Sequence, residues 1–201
     1  MGGPNTEMSW EFGDAGETLA REWLKSRGYF VMPASWAGNG GAAMLDGESR
    51  SHILLDILAC KDGLTKWIDV KAKGRATKNQ KRGRWETGCA LRHFNEYCAV
   101  QLETGITGAL AFLHAEERRI YLGDLNAIRP ESAIWPPPGG QLKPRHAFKE
   151  PMIFFRLDDF EWYEMGTWAP VERFVAKAAA PSRVNAWEGK PPSFRQRGLF
   201  E

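Results

Sequence analysis

The 201-residue chain is 43% apolar and 26% charged, the composition of an ordinary folded protein long enough to bury a core. No apolar run approaches the ~18 residues of a membrane span, so no membrane partner is expected. Net charge is only +2 and says little about partners, while three cysteines without CxxC or zinc-type spacing point to a reducing, cytoplasmic setting.

Residues 1–12 read as a loose leader. Asp14 and Glu17 have capping-box spacing, and Ala15, Leu19, Ala20, Trp23 and Leu24 recur at helical period until Gly28 supplies a stop. A cap is thus one role open to Glu17. Residues 29–32 read as a short buried strand. The stretch 34–51, rich in Gly, Ala and Ser, reads as a loop without visible chemistry.

Residues 53–72 carry the strongest signal. Two apolar runs flank Asp62-Gly63, the dipeptide of a two-residue type I′ hairpin. With that turn, Lys61 pairs with Leu64, and Asp56 falls opposite Asp69. Side chains alternate along a strand, so Lys71 shares their face, while Ile53, Leu55, Ile57, Ile68, Val70 and Ala72 form a core layer on the other. Carboxylates set directly across a strand pair repel, by roughly 0.2–1 kcal/mol. A purely structural hairpin gains nothing from that, whereas a hard divalent cation takes such oxygens as ligands.

Residues 71–84 hold seven cations, Lys71, Lys73, Arg75, Lys78, Lys81, Arg82 and Arg84, and no acid. With interleaved Gly, Thr, Asn and Gln, the stretch reads as a flexible loop. A charge run is commonly a solvated face. Beside a pair of acids it also suits a phosphate backbone, and Lys73, Arg75, Lys78, Lys81, Arg82 and Arg84 are the candidate DNA contacts. Trp85 is either a loop anchor or a base-stacking platform.

Residues 91–103 form a helix closed by Gly105, with Leu91, Phe94, Cys98 and Leu102 as its apolar stripe and His93, Tyr97 and Gln101 as a polar row. Strands are expected over 109–114 and 119–122, joined by a charged turn. Residues 130–151 carry six prolines and read as a long loop. One more strand follows at Met152, on an edge or covering one side. Residues 158–164 are acidic and aromatic, and the tail from Ala176 is expected to be extended or disordered. The organisation expected is a core over 1–128, residues 129–175 completing the same domain, and a tail over 176–201.

Asp56 followed by Asp69-Val70-Lys71 resembles the signature of the PD-(D/E)xK nuclease superfamily, with Leu55 in the place of the proline and Asp in place of the commoner Glu. The resemblance covers roughly residues 14–122. It implies an α/β fold with a mixed central sheet flanked by helices, the restriction-endonuclease-like core. It implies Mg²⁺, with Mn²⁺ substituting, held by Asp56, Asp69 and the Val70 carbonyl. Lys71 would orient or deprotonate a water, and Glu17 would assist through a metal-bound water. His93, Tyr97 and Gln101 would line a cleft for DNA. A non-catalytic nucleic-acid-binding module and a hydrolase of small phosphoesters are the alternatives, and a homodimer is left open.

Overall fold

The computed structural model describes residues 4–34, 43–48, 50–134 and 151–179. Helix α1, Pro4–Ser26, leads into strand β1, Phe30–Pro33, and then into a two-stranded arm of β2, Met44–Asp46, and β3, Ser51–Ile53. The central hairpin is β4, Ile57–Lys61, and β5, Leu64–Lys73. A second hairpin, β6 (Thr77–Asn79) and β7 (Arg84–Ala90), precedes helix α2, Leu91–Thr104. Strands β8 (Thr107–His114), β9 (Arg119–Asp124), β10 (Pro130–Ile134), β11 (Met152–Arg156) and β12 (Glu161–Glu164) follow, and helix α3 spans Ala169–Ala179.

The main sheet has six strands in the order β1-β4-β5-β8-β9-β12. Its β5–β8 pair is parallel and the others are antiparallel, so the sheet is mixed. A second, antiparallel sheet runs β10-β11-β7-β6. One core cluster packs Leu19 and Trp23 of α1 and Phe174 of α3 against Ile57, Ile68, Val70 and Leu113. The other places Tyr97 and Val100 of α2 and Phe155 of β11 against Leu110, Phe112 and Tyr121. Strand β8 alternates between them and is buried along nearly its whole length, as expected of a strand inside a parallel pair covered on both faces. The α/β core with a mixed sheet flanked by helices is thus observed.

The central hairpin has the expected register. Asp62 and Gly63 both have positive φ, +51° and +77°, as type I′ requires, and the ladder runs from Lys61↔Leu64 to Ile57↔Ile68. The core layer differs at its outer end. The ladder stops at Ile57, and Leu55 beyond it packs into the second cluster, on the opposite side of the sheet from Ile57. Ile53 belongs to β3, where it pairs with Met44.

Other departures have local causes. The expected leader is helical from Pro4, a residue whose fixed φ and missing N–H suit the first helical position. Asp14 therefore lies mid-helix, and the proposed cap by Asp14 and Glu17 is not formed. The Gly28 stop does form: φ is +83°, Gly28 N–H bonds Lys25 O, and Tyr29 N–H bonds Leu24 O, the two bonds of a Schellman motif. Strand β1 is an edge strand rather than a buried one, with Phe30 82% and Met32 50% exposed. The expected 34–51 loop contains β2 and the start of β3. The expected tail begins as α3 through Ala179, and residues 180–201 lie outside the described residues, as does 135–150 of the Pro-rich stretch. No described helix is long and apolar enough to cross a membrane.

Gly16 sets how closely α1 lies on β5. A Cβ there would sit 2.9 Å from Ala72 Cβ and 3.4 Å from the Phe174 ring, whereas nothing lies within 4 Å of one at Gly13. Gly16→Val is expected to cost about 1–3 kcal/mol by overpacking. Gly13→Ala is expected to gain up to about 1 kcal/mol from helix propensity. Denaturant titrations of the two variants check this, and equal effects would mean that the helix does not lie tightly on the strand.

Candidate active site

The site forms just before the start of β4, where β5 continues past its partner. Asp56 leaves the ladder because its backbone is used elsewhere: its carbonyl accepts the Ala34 N–H at 2.8 Å. Its carboxylate turns back, and Oδ2 accepts the Val70 N–H at 2.7 Å. Asp56 and Asp69 are thus brought together as expected, but by a side-chain bond to β5 rather than as a cross-strand pair. Asp69 is 1% exposed. Its Oδ1 accepts from Lys71 Nζ at 3.0 Å, and its Oδ2, 2.8 Å from the same nitrogen, has no aligned hydrogen bond. Lys71 Nζ also donates to Tyr97 Oη at 3.0 Å and stands 5.4 Å from the centre of that ring.

The electrostatics follow from that crowding. Burial, and then the Asp69 charge, push the Asp56 carboxyl well above the ordinary carboxylate range. Burial opposes the Lys71 charge, but Asp69, with Tyr97 and Asp56, outweighs it and holds the ammonium well above the ordinary lysine range. Burial, and then the Asp69 charge, also raise the Tyr97 hydroxyl. Glu17, next to the Gly16 of α1 that lies against Ala72 of β5, is raised by burial and by Asp14, and it feels both Asp69 and Lys71. The structure therefore places Glu17, Asp56, Asp69 and Lys71 in one shared field. The Val70 side chain lies in the core below.

Lys73 belongs to this site rather than to a basic loop. It is the last residue of β5, on the same face as Asp69 and Lys71. Burial, with the neighbouring Lys71 charge, draws its ammonium below the ordinary lysine range. Cys89 lies within its field, and burial pushes that thiol up to about 12, so it carries no thiolate at neutral pH. Beyond it, Arg75 stands 3.6 Å from Glu116. Lys78, Lys81, Arg82 and Arg84 are exposed on the β6–β7 hairpin, a structured element where a flexible loop was expected. Trp85 lies opposite Lys78 and packs partly against the second core cluster.

Helix α2 sorts its polar row by height. Tyr97 is buried at the site, and the ring of His93, one turn earlier, lies tilted at 49° to it with ring centres 6.1 Å apart. Gln101 is not in the cleft. Its amide bridges Asn126 at 2.8 Å and the Gly108 N–H at 2.8 Å, tying α2 to the start of β8. The expected stripe also shifts, because Leu102 is 82% exposed and Val100 is buried in its stead.

A buried polar pair lies behind Lys73, which aligns with His114 across β5 and β8. His114 is fully buried, and its Nε2 meets Thr87 Oγ1 at 3.1 Å. Burial, and then the Lys73 charge, lower its pKa to about 3 despite Glu117 3.6 Å away. Folded His114 thus stays neutral while the unfolded chain takes up a proton below about pH 6.5. Stability should fall as pH drops from about 6.5 toward 3, by about 1.4 kcal/mol per unit, hence about 2 kcal/mol at pH 5. Urea melts at pH 7 and pH 5 check this, and His114→Gln should lose that part of the slope.

No protein-family model matches the sequence, and no curated protein matches it. Among solved structures, the chain is similar to a Holliday junction resolvase, Hjc, from the archaeal hyperthermophile Archaeoglobus fulgidus. The identity is 11%, over 60% of this chain and 78% of that one, with a TM-score of 0.42. It is also similar to a bacterial homing endonuclease, I-Ssp6803I, at 16% identity over 66% and 82% of the two chains, with a TM-score of 0.34. Likenesses this distant carry nothing about activity, which has to rest on the residues of the site.

Proposed function

We propose that this chain is a metal-dependent nuclease that hydrolyses phosphodiester bonds in DNA. The observation that carries the reading is the convergence of two carboxylates and a lysine where β4 begins and the second half of β5 passes it, with Asp69 almost wholly buried. Burying two like charges side by side is costly unless something compensates. Lys71 compensates one of them.

The donor set fits Mg²⁺. Asp69 Oδ2 is buried without a hydrogen bond, and among the described residues Asp56 uses only one of its two oxygens. Among the described residues no cluster of three or more acid, His or Cys ligands forms. Mg²⁺ is usually bound by one or two carboxylates together with waters and substrate phosphate. Asp56, Asp69 and the Val70 carbonyl would hold it, with Mn²⁺ as a substitute. When bound, it supplies Lewis acidity to the phosphate and a water of lowered pKa.

The chain's own groups do the rest. An ammonium has three donors, and Asp69 and Tyr97 take two of the three on Lys71. The third faces the reacting phosphate and steadies the charge that builds there. Glu17 lies within reach of this field and would orient the attacking water. Lys73 adds a second cation on the substrate side of the strand, and His93 borders the approach.

The test is to incubate the purified protein with plasmid, linear duplex, single-stranded and branched DNA, with Mg²⁺ and with EDTA, alongside Asp69→Asn. Cleavage that requires Mg²⁺ and is lost in the variant is expected. Failure of the wild type on every substrate, or equal cleavage by the variant, would overturn the reading.

A further inference from the structure

The β6–β7 hairpin stands out from the body of the protein. Ala76 and Glu86 are buried at its base, and none of residues 77–85 between them is buried. Those residues include Lys78, Lys81, Arg82 and Arg84 and no acid, a local charge of +4. The hairpin is also pinned. Gly83, at φ +66°, donates its N–H to Asn79 O at 2.8 Å, and the Arg82 N–H reaches Asn79 Oδ1 at 3.2 Å. The Asn79 amide then donates to the buried Glu86 carboxylate at 2.9 Å. Inward, β7 carries Cys89 into the field of Lys73 and Asp69, so the ribbon's base abuts the candidate active site.

We propose that this hairpin is a two-stranded ribbon that enters the major groove of B-form DNA and so selects duplex DNA as the substrate of the nuclease proposed above, on which reading the inference rests. The dimensions decide the groove. Two paired strands lie ~4.8 Å apart and rise ~3.3 Å per residue, so the four residues from Thr77 to the tip reach about 13 Å. The B-DNA major groove is ~12 Å wide and ~8.5 Å deep and admits a β-ribbon, whereas the minor groove, ~6 Å wide, does not. The deep, narrow major groove of A-form RNA excludes side chains and ribbon alike. Single strands are gripped by grooves lined with stacking aromatics, and the one aromatic on this ribbon, Trp85, packs partly against the body.

The experiment measures binding in EDTA, so that cleavage plays no part. The full chain is titrated with a mixed-sequence DNA duplex, the same single strand, and the same duplex as RNA, at about 50 and 200 mM salt. Dimethyl sulfate footprinting then reports guanine N7 in the major groove and adenine N3 in the minor. Duplex DNA should bind tightest, with protection at guanine N7. Neutralising Lys78, Lys81, Arg82 and Arg84 to Gln, all exposed, should flatten the salt slope by about 3.6, so that the wild type loses about 10²-fold more affinity across that interval. Equal binding of single strands or RNA, protection at adenine N3 alone, or an unchanged slope would each overturn the ribbon. A duplex-selective footprint without Mg²⁺-dependent cleavage would instead overturn the nuclease reading and leave the ribbon standing.

Discussion

Lys71→Ala is expected to cut DNA cleavage by about 10²–10³-fold, the usual effect of removing one preorganised donor from a developing charge. The lysine is preorganised from two sides, by Asp69 at 3.0 Å and Tyr97 at 3.0 Å, which leaves one N–H for the phosphate. Alanine removes the donor and leaves the two carboxylates in place, so metal binding should survive. Lys71→Arg should fail nearly as badly. A planar guanidinium cannot occupy the point where an ammonium meets a carboxylate and a phenol at once. Single-turnover cleavage of a duplex by metal-free protein reconstituted with Mg²⁺ measures this directly. Near-normal turnover in either variant would remove Lys71 from the mechanism.

The second large effect is an asymmetry between the two acids. In EDTA, Asp69→Asn should melt below the wild type, because it strips Lys71 of its partner. Breaking a buried ion pair costs about 3–5 kcal/mol. Lys71 keeps 23% of its side chain exposed, which brings the expectation down to about 2 kcal/mol. In a chain of this size that is about 4–8 °C. Asp56→Asn should behave in the opposite way. An amide oxygen can still accept the Val70 N–H, and removing the charge relieves the burial cost and the Asp69 repulsion that together raise the Asp56 pKa. A gain of up to about 1 kcal/mol is expected. In millimolar Mg²⁺ both variants should lose the ligand-dependent shift, which follows RT ln(1 + [L]/Kd). If Asp69→Asn melts no lower than Asp56→Asn, Lys71 does not depend on Asp69. If either keeps the full Mg²⁺ shift, that acid is not a ligand.

The parts of this site that local rules govern could be read from sequence. Asp62-Gly63 admits one turn type, and the turn sets the ladder down to Ile57↔Ile68, which puts Asp69 and Lys71 on one face. What escaped were contacts made across the chain. Asp56 leaves the strand because Ala34 takes its carbonyl and Val70 its carboxylate, and neither bond is encoded in a local pattern. Leu55 changes sides as a result. The ribbon was missed because its composition, rich in Lys, Arg, Asn and Gln, shows no apolar alternation. Its pairing is held instead by Asn79 and Glu86 and by β11 behind it. Gln101 and Tyr97 looked equivalent as members of one helical row, and only the height of α2 against β8 separates a site residue from a structural clamp.

That support from β11 also orders events as the chain is made. Gly88 of β7 pairs with Phe154, and a Cβ on Gly88 would come within 2.3 Å of the neighbouring Ile153 carbonyl oxygen, so the fit is close and specific. Synthesis at about 5–20 residues per second puts roughly 3–13 s between the two strands. Asp56, the β5 strand that carries Asp69, and the β8 strand beside it are all translated before β11 exists. A nascent chain therefore acquires its acidic centre first and the firm footing of its cationic arm several seconds later.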